Sequence, residues 1–92
     1  MRAHLIGVYA QGEMPEELTG FVGYQAARSG VALRTGERVA VLQAAGTSSY
    51  LTIFIERVSS LAEIEAKVHE AGLVMDDVTT MSLKRVLEEM HK

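Results

Sequence analysis

The sequence predicts a single α+β domain of the βαββαβ, ferredoxin-like kind, in which an antiparallel sheet carries two helices on one face. Three observations lead there. Apolar runs over 4–10, 38–44 and 50–55 have the composition and alternation of strands. Two stretches with helical spacing, 15–29 and 60–71, each run up to a glycine that ends them. The length of 92 residues provides for one modest core rather than two.

In the first strand the alternation sets Ile6 and Val8 on one side and Leu5 on the other, and Gln11 and Gly12 end it. Pro15 suits a first helical turn, where its missing N–H costs nothing, and Glu16 and Glu17 complement the positive end of the helix dipole. Leu18, Phe21, Val22 and Ala26 then follow at helical spacing to Gly30. Gly20 and Gly23 lie inside that helix and mark a face for tight packing on the sheet. Val31 to Leu33 forms a short extended piece, and Thr35, Gly36 and Glu37 a turn. Strands over 38–44 and 50–55 make a hairpin through the small residues Ala45 to Ser48.

Ser60 and Glu63 have capping-box spacing and open a second helix, whose stripe is Leu61, Ile64, Val68 and Ala71 and whose stop is Gly72. The tail admits two readings. Val78 to Val86 reads as the final strand, whereas Leu83, Val86, Leu87 and Met90 also fit helical spacing. The expectation is a strand over 78–83, followed by a short C-terminal helix.

The Gly46-Thr47-Ser48-Ser49-Tyr50-Leu51 turn and the run Asp77-Val78-Thr79-Thr80-Met81-Ser82-Leu83 resemble the ligand-binding domain of the Lrp/AsnC regulators, over roughly residues 38–86. That resemblance implies a RAM-like module within the dimeric α/β-barrel group, pairing through its sheets and holding an effector near the glycine-led turn. Ser49 stands where that family commonly has Asp. With no helix-turn-helix ahead of it, the chain is expected to be a stand-alone module.

Composition narrows the function. A net charge of −3 disfavours nucleic acid, which is held by clustered Lys and Arg. The absence of cysteine removes disulfides, thiolate catalysis and Cys-ligated metals, and points to a reducing, cytoplasmic setting. No apolar run is long enough for a signal peptide or a membrane span, so no membrane partner is expected. His4, His69 and His91 have no metal-ligand spacing, and Glu65 with His69, one helical turn apart, reads as a solvated surface pair. Asp76 and Asp77 read as a turn, and Ser48 and Ser49 have no base beside them in sequence. No metal, cofactor or catalytic residue is therefore assigned.

The expected ligand site combines Gly46, Ser48, Ser49 and Tyr50 at the hairpin turn with Arg34 and Arg38, whose guanidinium forks suit a small anionic or amino-acid-like ligand. A small, aliphatic core also favours covering part of the surface with a second copy. The sequence thus points to a regulatory small-molecule-binding or oligomerisation module that pairs through its sheet. The alternatives are a small dimeric α/β-barrel enzyme for an apolar or aromatic substrate, with His4 and Tyr24 as candidates, and a structural adaptor using Ile53 and Phe54 on an apolar sheet face.

Overall fold

Aliphatic and β-branched residues fill three strands, β1 (Arg2–Ala10), β2 (Arg38–Ala44) and β3 (Tyr50–Phe54). A 3-10 turn (Ile55–Arg57), helix α1 (Leu61–Glu70), the two-residue strand β4 (Val74–Met75) and helix α2 (Asp77–Met90) follow. This computed structural model describes residues 1–10, 13–18, 37–47 and 50–90. Residues 16–18 are helical, and the Leu18 N–H donates to the Pro15 carbonyl at 2.9 Å. The rest of the helix expected over 15–29, and the extended piece over 31–33, lie outside the described residues.

The α+β class is found, but the sheet departs from the ferredoxin-like expectation. Its order is β3-β2-β1-β4. β1 with β2 and β2 with β3 are antiparallel, whereas β4 joins the outer edge of β1 in parallel. The sheet is therefore mixed, and the chain continues past its last strand into a helix. The strand expected over 78–83 is instead the first half of α2. Local chemistry explains the correction, because Asp76 accepts the Thr79 N–H at 2.7 Å and so caps the helix at its first turn. Thr79, Leu83 and Leu87 then fall on one buried stripe, one helical turn apart.

The first strand starts at Arg2, two residues before the expected boundary, and its alternation is broken by a bulge. Leu5 pairs with Leu42 and Gly7 with Val41, which leaves Ile6 as the extra residue. Consequently Leu5 and Val8 both pack on the main core, while Ile6 is exposed, the reverse of the grouping that simple alternation gives.

That core lies between the sheet and helices α1 and α2. Ala3, Ala40, Leu42 and Ile53 come from the strands, Ile64 and Val68 from α1, and Leu83 and Leu87 from α2, with Ile55 and Val58 closing the end below the hairpin. A smaller cluster of Leu18, Val39 and Val41 occupies the opposite sheet face, where Tyr9, Met14, Tyr50 and Phe54 pack against it. Both faces of β2 are thus covered, which accounts for its nearly unbroken apolar run.

The ends of α1 follow local rules. Ser60 accepts the Glu63 N–H at 3.4 Å, as the capping box requires, but the Glu63 carboxylate takes the Ser59 hydroxyl instead of turning back to Ser60. At the other end the Gly72 N–H bonds the His69 carbonyl at 2.9 Å and the Leu73 N–H bonds the Val68 carbonyl at 3.1 Å. This is a Schellman closure, and it needs the positive φ of 79° that Gly72 adopts.

Beyond Ala3, β4 no longer covers the edge of β1. The Asp76 N–H bonds the Ala3 carbonyl at 3.2 Å, and the next donor along that edge, the Leu5 N–H, bonds the Thr79 hydroxyl at 2.8 Å. A side chain on α2 thus extends the strand ladder by one bond. Thr79→Val keeps the shape but removes the acceptor, so it should lower stability by about 1–3 kcal/mol, while Thr79→Ser should retain most of it. Urea unfolding of the three proteins measures the difference, and equal midpoints would show that this bond contributes nothing.

Candidate functional site

The two halves of the expected ligand site lie at opposite ends of the β2–β3 hairpin. Gly46 occupies the turn that follows β2, with φ of 78°. Arg38 begins β2, six residues before its end, a separation of roughly 20 Å at the rise of a strand. Arg34, Ser48 and Ser49 lie outside the described residues, as do Tyr24 and His91.

Around Arg38 the charges are already matched. Its Nε donates to Glu56 at 3.1 Å, and its backbone N–H to the same carboxylate at 3.3 Å. Beside this pair the Glu37 carboxylate, only 4% exposed, takes Nε of Arg57 at 2.5 Å and Nη2 at 2.9 Å. That fork holds the Arg57 guanidinium above its ordinary pKa, against the opposing effect of burial. The Arg57 guanidinium also sits 5.3 Å from the centre of the Phe54 ring. Two ion pairs therefore join the start of β2 to the 3-10 turn after β3, and they brace the open end of the hairpin. Arg38, expected to hold a small anionic ligand, instead meets Glu56, which the strand register brings beside it.

At the other end the turn is held from within. The Gln43 side-chain amide donates to the Thr47 carbonyl at 2.8 Å, and the Thr47 hydroxyl and N–H both donate to the Ala44 carbonyl, at 3.0 and 3.1 Å. The Ala45 N–H bonds the Arg2 carbonyl at 2.8 Å, which places the start of β1 beside this turn. The register then aligns His4, Gln43 and Tyr50 as a row across β1, β2 and β3. Neighbouring strands lie about 4.8 Å apart, so His4 and Tyr50 flank Gln43 at roughly 10 Å from each other. His4 and Arg2 are exposed, and Gln43 and Tyr50 half-buried. The row brings together His4, considered above for catalysis, and Tyr50, considered for ligand binding, although they are 46 residues apart in sequence.

Asp76 lies near the same corner. The Thr79 N–H, and then the Thr79 hydroxyl, hold its carboxyl below the usual carboxylate range, with smaller help from the charges on His4 and Arg2. Asp76 and Asp77, expected to form a turn, thus become a helix cap and the first helical residue. Glu65 and His69 line a cleft between α1 and the β4–α2 segment, over Val68, Leu73 and Met75, with Thr80 across from them. Among the described residues no group of three or more His, Cys, Asp or Glu is placed to hold a metal ion. Ile53 is buried in the main core, and Phe54 packs on the opposite face, so the two do not share an apolar surface.

Among the described residues, Met1, Val74, Val78 and Met81 carry the most exposed large apolar side chains. Val78 is 76% exposed and Met81 62%, and both line a shallow groove on the outer face of α2 with Asp77, Ser82 and Arg85. Val74 on β4 is also exposed. The reading of 78–83 as a strand concealed this surface, because helical geometry is what puts Val78 and Met81 on one side. The helical spacing noted for Leu83, Val86, Leu87 and Met90 was the signal that would have revealed it.

These features define a small mixed α+β domain with a polar row at one corner of its sheet and an apolar groove on its last helix. Among the described residues no helix is long and apolar enough to cross a membrane. The chain belongs to the family described as a domain of unknown function, DUF749, whose model matches residues 1–87. No curated protein and no solved structure matches it.

The lowered pKa of Asp76 has a definite consequence for stability. A depressed carboxylate contributes stability that is fully present above its unfolded value, about 3.9, and is lost as pH falls through its lower folded value. Asp76→Ala should therefore lower stability by about 1 kcal/mol at neutral pH, the usual contribution of a helix cap. The gap to the unmutated protein should narrow below about pH 4, where the carboxyl takes up its proton. Thermal melts of both proteins from neutral to acidic pH provide the comparison, and a gap that stays constant would contradict the assignment.

Proposed function

We propose that this protein is a small assembly module that pairs with a second copy of itself and acts by binding rather than by catalysis. The observation that carries this reading is the groove on α2, where Val78 and Met81 leave most of their apolar surface in water. An isolated exposed apolar residue needs no explanation, but two at helical spacing in one groove, on so small a domain, favour a covered surface. In this chain the outer edge of β1 is a poor place for strand pairing. Its first residues are taken by β4, its next donor by Thr79, and Ile6 bulges from the strand beyond.

Light scattering at increasing protein concentration should show a mass rising from one chain toward two, and Met81→Glu should hold the mass at one chain without lowering the melting temperature. A single-chain mass at every concentration would overturn the reading.

A second reading, regulation by a small anionic or amino-acid-like ligand, is favoured by one observation. The exposed Arg2 and His4 stand beside the self-bonded Gly46 turn, in line with Gln43 and Tyr50. This corner offers a cation, a titratable ring, an amide and a phenol on one sheet end. If it is a ligand site, one member of a panel of amino acids and small carboxylates should raise the melting temperature, and Arg2→Ala with His4→Ala should abolish that rise. A panel without effect on the unmutated protein would remove this reading.

A further inference from the structure

We propose that two copies of the chain pair through α2 in antiparallel fashion, about a two-fold axis passing beside Met81. The inference rests on the assembly reading above and specifies how the assembly is made.

The groove residues define the geometry. Val78, Met81, Ser82 and Arg85 are spaced i, i+3, i+4, i+7, the four-residue hole that accepts one side chain from a facing helix. Ser82 keeps the hole open on one side, and Met81 is the long, unbranched and adaptable side chain suited to enter such a hole on the other copy. Because a two-fold interface is self-complementary, the residue that fills the hole must come from the same groove. Met81, 62% exposed at its centre, meets that condition.

The charges meet it as well. Asp77 precedes Met81 by four residues and Arg85 follows it by four, so each lies one turn, about 6 Å along the axis, from the centre. An antiparallel partner turned about Met81 brings its Arg85 to Asp77 and its Asp77 to Arg85. Two opposite-charge pairs then flank the central methionines. A parallel partner in the same register would set Asp77 against Asp77 and Arg85 against Arg85, which repel. One acidic and one basic residue, symmetrically placed about an apolar centre, thus select both the partner and its direction.

The pair is small. A helix of 14 residues is about 21 Å long, and such a contact falls short of the roughly 800 Å² per partner of a standard stable interface. Dimerisation is therefore expected to be weak and concentration-dependent.

The test uses charge exchange between two variants of the full chain, followed by sedimentation equilibrium from about 1 μM to about 500 μM. Asp77→Arg alone and Arg85→Asp alone each place like charges at both flanking positions and should weaken dimerisation at least about tenfold. An equimolar mixture of the two should dimerise as the unmutated protein does, because each flanking position then holds one Arg and one Asp. Circular dichroism melts of each variant verify that it is folded. If the unmutated protein dimerises and the single variants dimerise equally well, or if the mixture fails to recover, the α2 pairing is wrong while the assembly reading stands. If the unmutated protein remains a single chain throughout, both fall.

Discussion

The structure depends on how the outer edge of β1 is closed. A strand that ends a sheet presents backbone groups that must find partners, and here three different devices meet them in succession. β4 covers Arg2 and Ala3, the Asp76 N–H donates to the Ala3 carbonyl, and the Thr79 hydroxyl accepts the Leu5 N–H. The backbone N–H of the same residue bonds the Asp76 carboxylate. One residue therefore fixes the edge of the sheet, the cap of α2 and the angle at which that helix leaves the strand. Leu83 and Leu87 can reach the core only because the helix starts from this point.

The consequences extend to the outer surface. Once Thr79, Leu83 and Leu87 are committed to the core, helical geometry turns Val78 and Met81 outward. The exposed groove is the far side of the stripe that holds the helix in place. A small domain has limited capacity to bury its apolar residues, and pairing of copies is one way to cover the remainder. At the opposite end of the hairpin the Glu37–Arg57 and Arg38–Glu56 pairs perform a different task, joining the start of β2 to the turn after β3. Removing the buried Glu37 carboxylate from solvent is compensated by a bidentate partner, whereas the Arg38–Glu56 pair remains largely in water and contributes little.

Much of the fold was legible from local signals. The strand boundaries at Arg38, Ala44 and Tyr50, the Ser60 cap and the Gly72 stop follow from residue preference and from hydrogen bonds a few residues in range. The site was less legible. Arg38 and Gly46 are close in sequence but at opposite ends of a hairpin, while His4 and Tyr50 are distant in sequence but share a row. Strand register alone determines both outcomes, and register is a property of paired chains.

The sequence by itself determined the α+β class, the three long strands, helix α1 with both of its ends and the aliphatic character of the core. Each rests on periodicity and capping, which act within a few residues. Tertiary structure decided the rest. It set β4 parallel on the edge of β1, inserted the bulge at Ile6, and turned residues 78–83 from a plausible strand into a helix. A run such as Val78-Thr79-Thr80-Met81 satisfies either periodicity. The choice fell to helix because only there does Thr79 reach both Asp76 and the open edge of β1, a contact across 74 residues of chain.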